Sequence, residues 1–424
     1  MNGAATAGTS RRALTFIVAL VLIDTLSFGL VIPVLPAIVM ELARVPLSEA
    51  SAIGGWLVMA FALAQFLASP ILGALSDRHG RRPILLVSAG GHAVAFLIAG
   101  LAPSLWVLLV GRVISGLTGA SFSTAYAYIA DVTPPERRAQ NFGLVGVAFG
   151  LGFMLGPALG GLLGGIDHRL PFYAAAGVCL LNFALGWWAL PESLGPHLRR
   201  PFDWARANPF AVFTRLKALG GPLALLAAVH FLWWFAIQAQ HSIWPYYTQY
   251  RYGWTEQQVG LSLGLVGLLS VLVNGYLVRR AVKALGEART LRVGLFMGAT
   301  AMAAYALAGA PMLLLAGMLV GSLGGLAPSS LQALATSEAA ANAQGELQGA
   351  LNALTSIAIV VGPPLYSQLF AHSSGAEPWV AFPGLPFALA ATLAATAFLL
   401  SLKVRPRDGG GATPAGQPLL EPLG

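Results

Sequence analysis

Of 424 residues, 57% are apolar and only 9% charged, against roughly 25% charged in soluble domains, which excludes a water-soluble core. The formal charge of +8 would suit a nucleic-acid partner, but the cations sit between long apolar runs, so that reading is set aside. The single Cys179 lies inside such a run, forms no intramolecular disulfide, and leaves the redox compartment unread.

Apolar stretches of about 20 residues, the length that crosses a bilayer's hydrocarbon core, number twelve: 14–37, 51–75, 83–102, 104–129, 139–164, 171–190, 221–249, 257–279, 291–309, 311–335, 347–370 and 379–402. These runs are too long for barrel strands, and an open sheet in lipid leaves its backbone unsatisfied. The expected fold class is therefore an all-α membrane protein of twelve transmembrane helices. An even number of spans puts both termini on one side. That side carries twenty of the 24 Lys and Arg, the other only Arg44, Arg169 and Arg251, and Arg112 lies within a span. By the positive-inside rule both termini are cytoplasmic, in a cell (inner) membrane. The expected units are a cytoplasmic N-terminus 1–13, a six-helix half 14–190, a cytoplasmic linker 191–220, a second six-helix half 221–403 and a disordered tail 404–424. Arg11-Arg12 superficially resembles a twin-arginine signal, but the helix behind it is too long for a signal h-region, so the pair reads as the flank of an uncleaved first helix.

The first helix carries Asp24, the only carboxylate near the middle of a span, about 11 residues or roughly 16 Å in at 1.5 Å per residue. Set in a low-dielectric span within reach of a cation, it is the candidate to load and release a proton. After the second span comes Gly73-Ala-Leu-Ser76-Asp77-Arg78-His-Gly80-Arg81-Arg82-Pro83. Asp77 stands near the partly negative end of its helix and needs compensation from an arginine or another helix's N-terminus. The expectation is a cytoplasmic gate of Gly73, Asp77, Arg78, Gly80, Arg81 and Arg82, with Asp77 latching the halves through the eleventh span. In the third span His92 is a tentative cavity residue. The fourth holds Arg112, the only cation inside any span and an expected electrostatic modulator of Asp24. In the fifth, Gly143, Gly152, Gly156, Pro157 and Gly160 strip one face of side chains for close backbone approach, expected at the seam between halves.

Prolines at 191, 196, 201 and 209 mark the linker. In the second half Trp233, Gln238, His241, Gln332 and Asn352 are tentative cavity residues, with interhelical hydrogen bonding the competing reading. Trp234, Phe235, Trp244, Tyr246 and Tyr247 read as part interface belt and part apolar wall. No phosphate-binding loop, metal cluster or catalytic triad stands out, so neither ATP-driven transport nor an enzyme is expected.

Compared with itself at an offset of 206, the chain aligns Gly80 with Gly286, Gly111 with Gly317, Gly119 with Gly325, Gly143 with Gly349 and Gly156-Pro157 with Gly362-Pro363. Six spans per copy give parallel repeats related by an axis along the membrane normal, with the substrate path between them.

These residues resemble the major facilitator superfamily over essentially the whole membrane portion, and its drug:proton antiporters of the tetracycline-efflux type in particular. Leu22-Ile23-Asp24-Thr25-Leu26-Ser27-Phe28-Gly29 resembles that group's opening helix, and Gly73–Pro83 the superfamily's gating loop. The Arg112 region is similar to its proton-coupling motif, Gly152–Gly161 to the motif associated with antiporters, and Gly345-Glu346-Leu347-Gln348-Gly349 to the tetracycline group. The resemblance implies proton-coupled efflux of small amphipathic compounds or drugs, with no cofactor beyond the proton gradient, by a monomer whose partners are substrate, protons and lipid. Tetracycline pumps also carry acids in the third and ninth helices, where this chain has Ala95 and Gly298; the departure counts against tetracycline as the substrate. An uptake or facilitative metabolite carrier shares the fold and gate, and a non-transporting membrane sensor is the alternative of another class.

Overall fold

The computed structural model describes residues 3–119, 121–204, 208–210, 220–339, 343–378 and 380–404. The predicted tail beyond residue 404 and linker positions 205–207 and 211–219 lie outside them. Among the described residues all regular structure is helical. Eleven helices are long and apolar enough to cross a membrane: α1 Ala13–Ala43, α2 Leu47–His79, α3 Arg81–Gly100, α4 Leu105–Val132, α5 Asn141–Gly164, α6 Leu170–Ala189, α7 Gly221–Tyr252, α8 Glu256–Leu285, α9 Glu287–Leu307, α10 Pro311–Glu338 and α11 Gln344–Ser374. A further apolar helix, α12 Leu385–Ser401, has 17 residues. The apolar run predicted over 379–402 is cut short because Pro383, Gly384 and Pro386 cluster at its start, where neither residue type sustains a helix interior.

Local chemistry explains the breaks. Pro33 and Pro36 lack the N–H groups that would continue α1, which tightens into a 3₁₀ turn at Ile32–Val34 before resuming. In α4 the chain opens at Thr118 and Gly119, and the Gly119 carbonyl accepts the Gln65 amide of α2 at 2.9 Å. The start of α8 is fixed by a capping box between Thr255 and Gln258.

The two halves are built alike. In the first, α1 packs on α5 and α6, and α3 on α6; in the second, α7 packs on α11 and α12, and α9 on α12. The internal repeat has a backbone signature: Gly80 between α2 and α3 has φ 108° and ψ 163°, and Gly286 between α8 and α9 has φ 75° and ψ 166°. Gly119 lies against the Gln65 amide, and its counterpart Gly325 against the amide of Asn274 on α8.

The halves join through two helix pairs, α2 with α11 and α5 with α8. Their closest approaches lie at the end opposite the Gly73–Pro83 loop. There Ser51 Oγ donates to the Ser367 carbonyl at 3.3 Å, and a Cβ built on Gly55 would sit 2.6 Å from Ser367 Cβ. On the loop side, a Cβ at Gly73, Gly143 or Gly345 would meet nothing within 4 Å.

Candidate functional site

Asp24 sits inside the first half, 1% exposed, and His92 is fully enclosed beside it. Asp24 Oδ1 lies 2.9 Å from His92 Nδ1, and His92 Nε2 lies 3.2 Å from the Ser115 carbonyl oxygen of α4. The Phe28 ring stands edge-on to the imidazole with centroids 4.9 Å apart. Two ionisable groups out of water are tolerable only when paired and hydrogen-bonded, and this pair is both. The sequence reading took His92 as a tentative cavity residue; the structure places it on Asp24.

Arg112 is not brought to Asp24. Among the described residues no ion pair joins them, and the group acting on Arg112 electrostatically is Tyr246 of α7, in the other half. Arg112 Nε and Tyr246 Oη are both buried without a hydrogen-bond partner among the described residues. Tyr246 packs its hydroxyl on Gly54 of α2, where a Cβ would collide with it.

The loop at Gly73–Pro83 forms a network of its own. Arg81 Nη1 bonds Asp77 Oδ1 at 2.5 Å and Arg81 Nε bonds Asp131 Oδ2 of α4 at 3.1 Å. This supplies the compensation that Asp77 needs at its helix end. In this arrangement Asp77 is held within its own half, and among the described residues it makes no ion pair with α11. The Glu192 carboxylate caps the start of α3, accepting from the backbone N–H groups of Arg81 at 2.8 Å and Arg82 at 3.2 Å. Arg82 reaches the Trp187 carbonyl, and Arg200 N–H donates to the Asp77 carbonyl at 3.1 Å. Asp131 and Glu192 escaped the sequence reading. The available signal was an acid at the end of α4 and another directly after α6, both on the basic side of the membrane.

The glycine stripe corrects the expected seam. A Cβ on Gly152 would sit 2.7 Å from Thr25 Cβ, and one on Gly156 2.7 Å from the Leu26 carbonyl and 2.8 Å from Gly29 Cα; one on Gly160 would overlap the Leu30 carbonyl. All three face α1 within the same half. The seam with α8 is made by the neighbouring face of α5, where Met154 meets Gly267, the Pro157 carbonyl meets Gly260, and Gly161 meets Glu256 and Gly260. Residues four apart share one helix face, so a single stripe cannot serve both neighbours.

The tentative cavity residues divide. Gln238 and His241 pair on α7 through Oε1 and Nδ1 at 3.2 Å. Trp233 is buried, with Nε1 unpartnered among the described residues. Its ring lies where a side chain at Gly298 would project, so an acid on α9 at that position has no room. Gln332 is half-buried and Asn352 exposed. Trp244, Tyr246 and Tyr247 are fully enclosed, and two of them are bonded within the second half: Trp244 Nε1 to Ser262 Oγ at 2.9 Å and Tyr247 Oη to the Tyr305 carbonyl at 2.7 Å. They form packing core rather than an interface belt.

Two pseudo-symmetric helical halves, joined by α2–α11 and α5–α8 around buried charge, define a membrane transporter of the rocking two-half type. The Major Facilitator Superfamily profile matches residues 17–363, and the chain belongs to that superfamily. It is 36% identical over 365 residues to the tetracycline resistance protein, class C, of Escherichia coli, covering 86% of this chain and 91% of that one. It is 37% identical over 369 residues to the class G protein of Vibrio anguillarum, covering 86% and 92%. Among solved structures, the human organic anion transporter MFSD10 superposes with a TM-score of 0.70 at 24% identity, over 92% of this chain and 99% of that one.

Proposed function

We propose that this chain exports small amphipathic compounds or drugs in exchange for protons, by alternating access of a central path between its halves. The observation that carries the reading is Asp24: among the described residues it is the one carboxylate buried within the helical core, in a chain akin to tetracycline resistance proteins over most of its length. Intramembrane carboxylates are costly and mark proton or ion pathways. The same reading takes α12 as the twelfth span, since 17 residues reach the lower end of what a bilayer needs, about 17 to 25. Both termini then face the cytoplasm, as the placement of Lys and Arg supports, and the working unit is a monomer. Gly73, Asp77, Arg78, Gly80, Arg81 and Arg82 form the gate, and Gln238, His241 and Trp233 border the path. Tetracycline is not the expected cargo, because Ala95 and Gly298 stand where such pumps carry acids and Trp233 fills the space at the second.

The test is Asp24→Asn in inside-out vesicles with an acidified lumen. The parent accumulates a panel of lipophilic dyes and antibiotics. The variant, folded by size-exclusion profile, loses that accumulation while still exchanging labelled for unlabelled compound. Undiminished accumulation in the variant overturns the assignment.

A further inference from the structure

The Asp24–His92 contact holds a countable number of protons. His92 Nε2 faces the Ser115 carbonyl oxygen at 3.2 Å, and a carbonyl only accepts, so a hydrogen bond there requires the hydrogen on Nε2. Nδ1 faces Asp24 Oδ1 at 2.9 Å, where two lone pairs without a hydrogen between them would repel. One hydrogen therefore lies in that contact. On Nδ1 it makes imidazolium and carboxylate; on Oδ1 it makes neutral imidazole and carboxylic acid. Either way the pair is neutral as a unit and holds one proton more than the emptied pair.

We infer that Asp24 and His92 bind the transported proton jointly, in the contact seen here, and that His92 is the positioning residue that converts its release into movement of α3 against α1 or α4. This rests on the proton exchange proposed above. When the proton leaves, the imidazole keeps a single N–H for two acceptors. Left on Nε2, it sets the Nδ1 lone pair against the Asp24 carboxylate. Moved to Nδ1, it sets the Nε2 lone pair against the Ser115 carbonyl. One contact is lost in each case, so unloading loosens α3 from α1 or from α4. The relation runs both ways: separating these helices weakens the hold on the proton.

Among the described residues, these groups lie around the pair. On α1 the Ser27 hydroxyl donates to the Asp24 backbone carbonyl at 2.8 Å. From α6 the Cys179 thiol donates to Ser27 Oγ at 3.2 Å and lies near enough to Asp24 to be influenced by it electrostatically. From α4 Arg112, one turn before Ser115, has Tyr246 as its electrostatic partner. From α5 Gly152 approaches Leu22, Thr25 and Leu26, Gly156 approaches Leu26 and Gly29, and Phe61 of α2 meets Phe28 at 5.5 Å. Cys179 is thus an ionisable side chain that these contacts bring toward the pair.

The experiment titrates the full chain in lipid, labelled with ¹⁵N-histidine, by NMR and by infrared difference spectroscopy. His92→Gln assigns the His92 signals by subtraction, and Asp24→Asn assigns the carboxyl band. The expected result is one common step, in which the His92 imidazole signals and the Asp24 carboxyl band change together, with that step absent from the imidazole in Asp24→Asn. Imidazole signals that stay constant through the carboxyl step, or that titrate identically in Asp24→Asn, overturn the joint site. A parallel transport arm uses tetracycline and a lipophilic cationic dye as probes. There His92→Gln lowers proton-driven accumulation at least tenfold and leaves counterflow within twofold of the parent. If the parent accumulates neither probe, the export reading fails on its own, and the spectroscopic step still decides the shared proton.

Discussion

Gly80 carries two constraints that one side-chain carbon would violate. Its φ of 108° with ψ of 163° belongs to a region populated essentially by glycine, costing other residues about 1–3 kcal/mol. The space its Cβ would occupy already holds the Glu192 carboxylate. Gly80→Ala is therefore expected to lower the melting temperature of the purified protein and to loosen the cap on α3. Adding Glu192→Ala separates the causes, since it removes the collision and leaves the backbone strained. The double variant should recover little of the lost stability, and full recovery would show that the collision alone matters. At this scale the sequence was informative wherever a residue type is rare in its setting: Asp24, Arg112 and the loop at Gly73–Pro83 all stood out. The partner of Asp24 did not. Which side chain meets which depends on how α1 and α3 are rotated about their axes, and helices apolar on every side carry no periodicity that fixes the rotation.

Among the helices, α5 shows how the same residue type serves different ends along one element. Gly156 is pressed against backbone atoms of α1, which cannot yield as a flexible side chain can, whereas a Cβ at Gly73 of α2 meets open space. Gly156→Ala should reduce the yield of folded protein, overpacking typically costing about 1–3 kcal/mol. Gly73→Ala should leave the fold intact or firmer, by up to about 1 kcal/mol of helix propensity. Retained monodisperse protein after a heating series checks both, and equal survival of the two variants would refute the distinction. The spans themselves were legible as apolar runs, and the glycine spacing foretold close approach. The neighbour approached was not legible, because four-residue spacing defines a face without naming what lies opposite. The start of α12 was set too early for a different reason: hydropathy does not register that Pro383, Gly384 and Pro386 forbid a helix start further back.

For the whole molecule, the repeat at an offset of 206 made two like halves legible, and the matched backbone at Gly80 and Gly286 is its physical counterpart. The arrangement between halves was not, since a transporter must visit more than one and a sequence encodes them all. In this one the halves meet at Ser51 and Ser367, far from the Arg81-bound Asp77. If Asp77 latches the halves in the alternate state, Asp77→Asn shifts population toward the present one. A latch worth 1.4 kcal/mol would change the ratio about tenfold. With Cys179 replaced, cysteines at 51 and 367 should crosslink faster in Asp77→Asn than in the parent and arrest transport until reduced; equal rates would show that Asp77 serves only its own loop. The seam also has a stake in water. Arg112 Nε and Tyr246 Oη, one from each half, are buried without a hydrogen-bond partner among the described residues, and an unsatisfied buried polar group costs about 1–3 kcal/mol, more when charged. Hydration removes that penalty as soon as the seam parts. The closed face therefore carries a cost that its opening relieves.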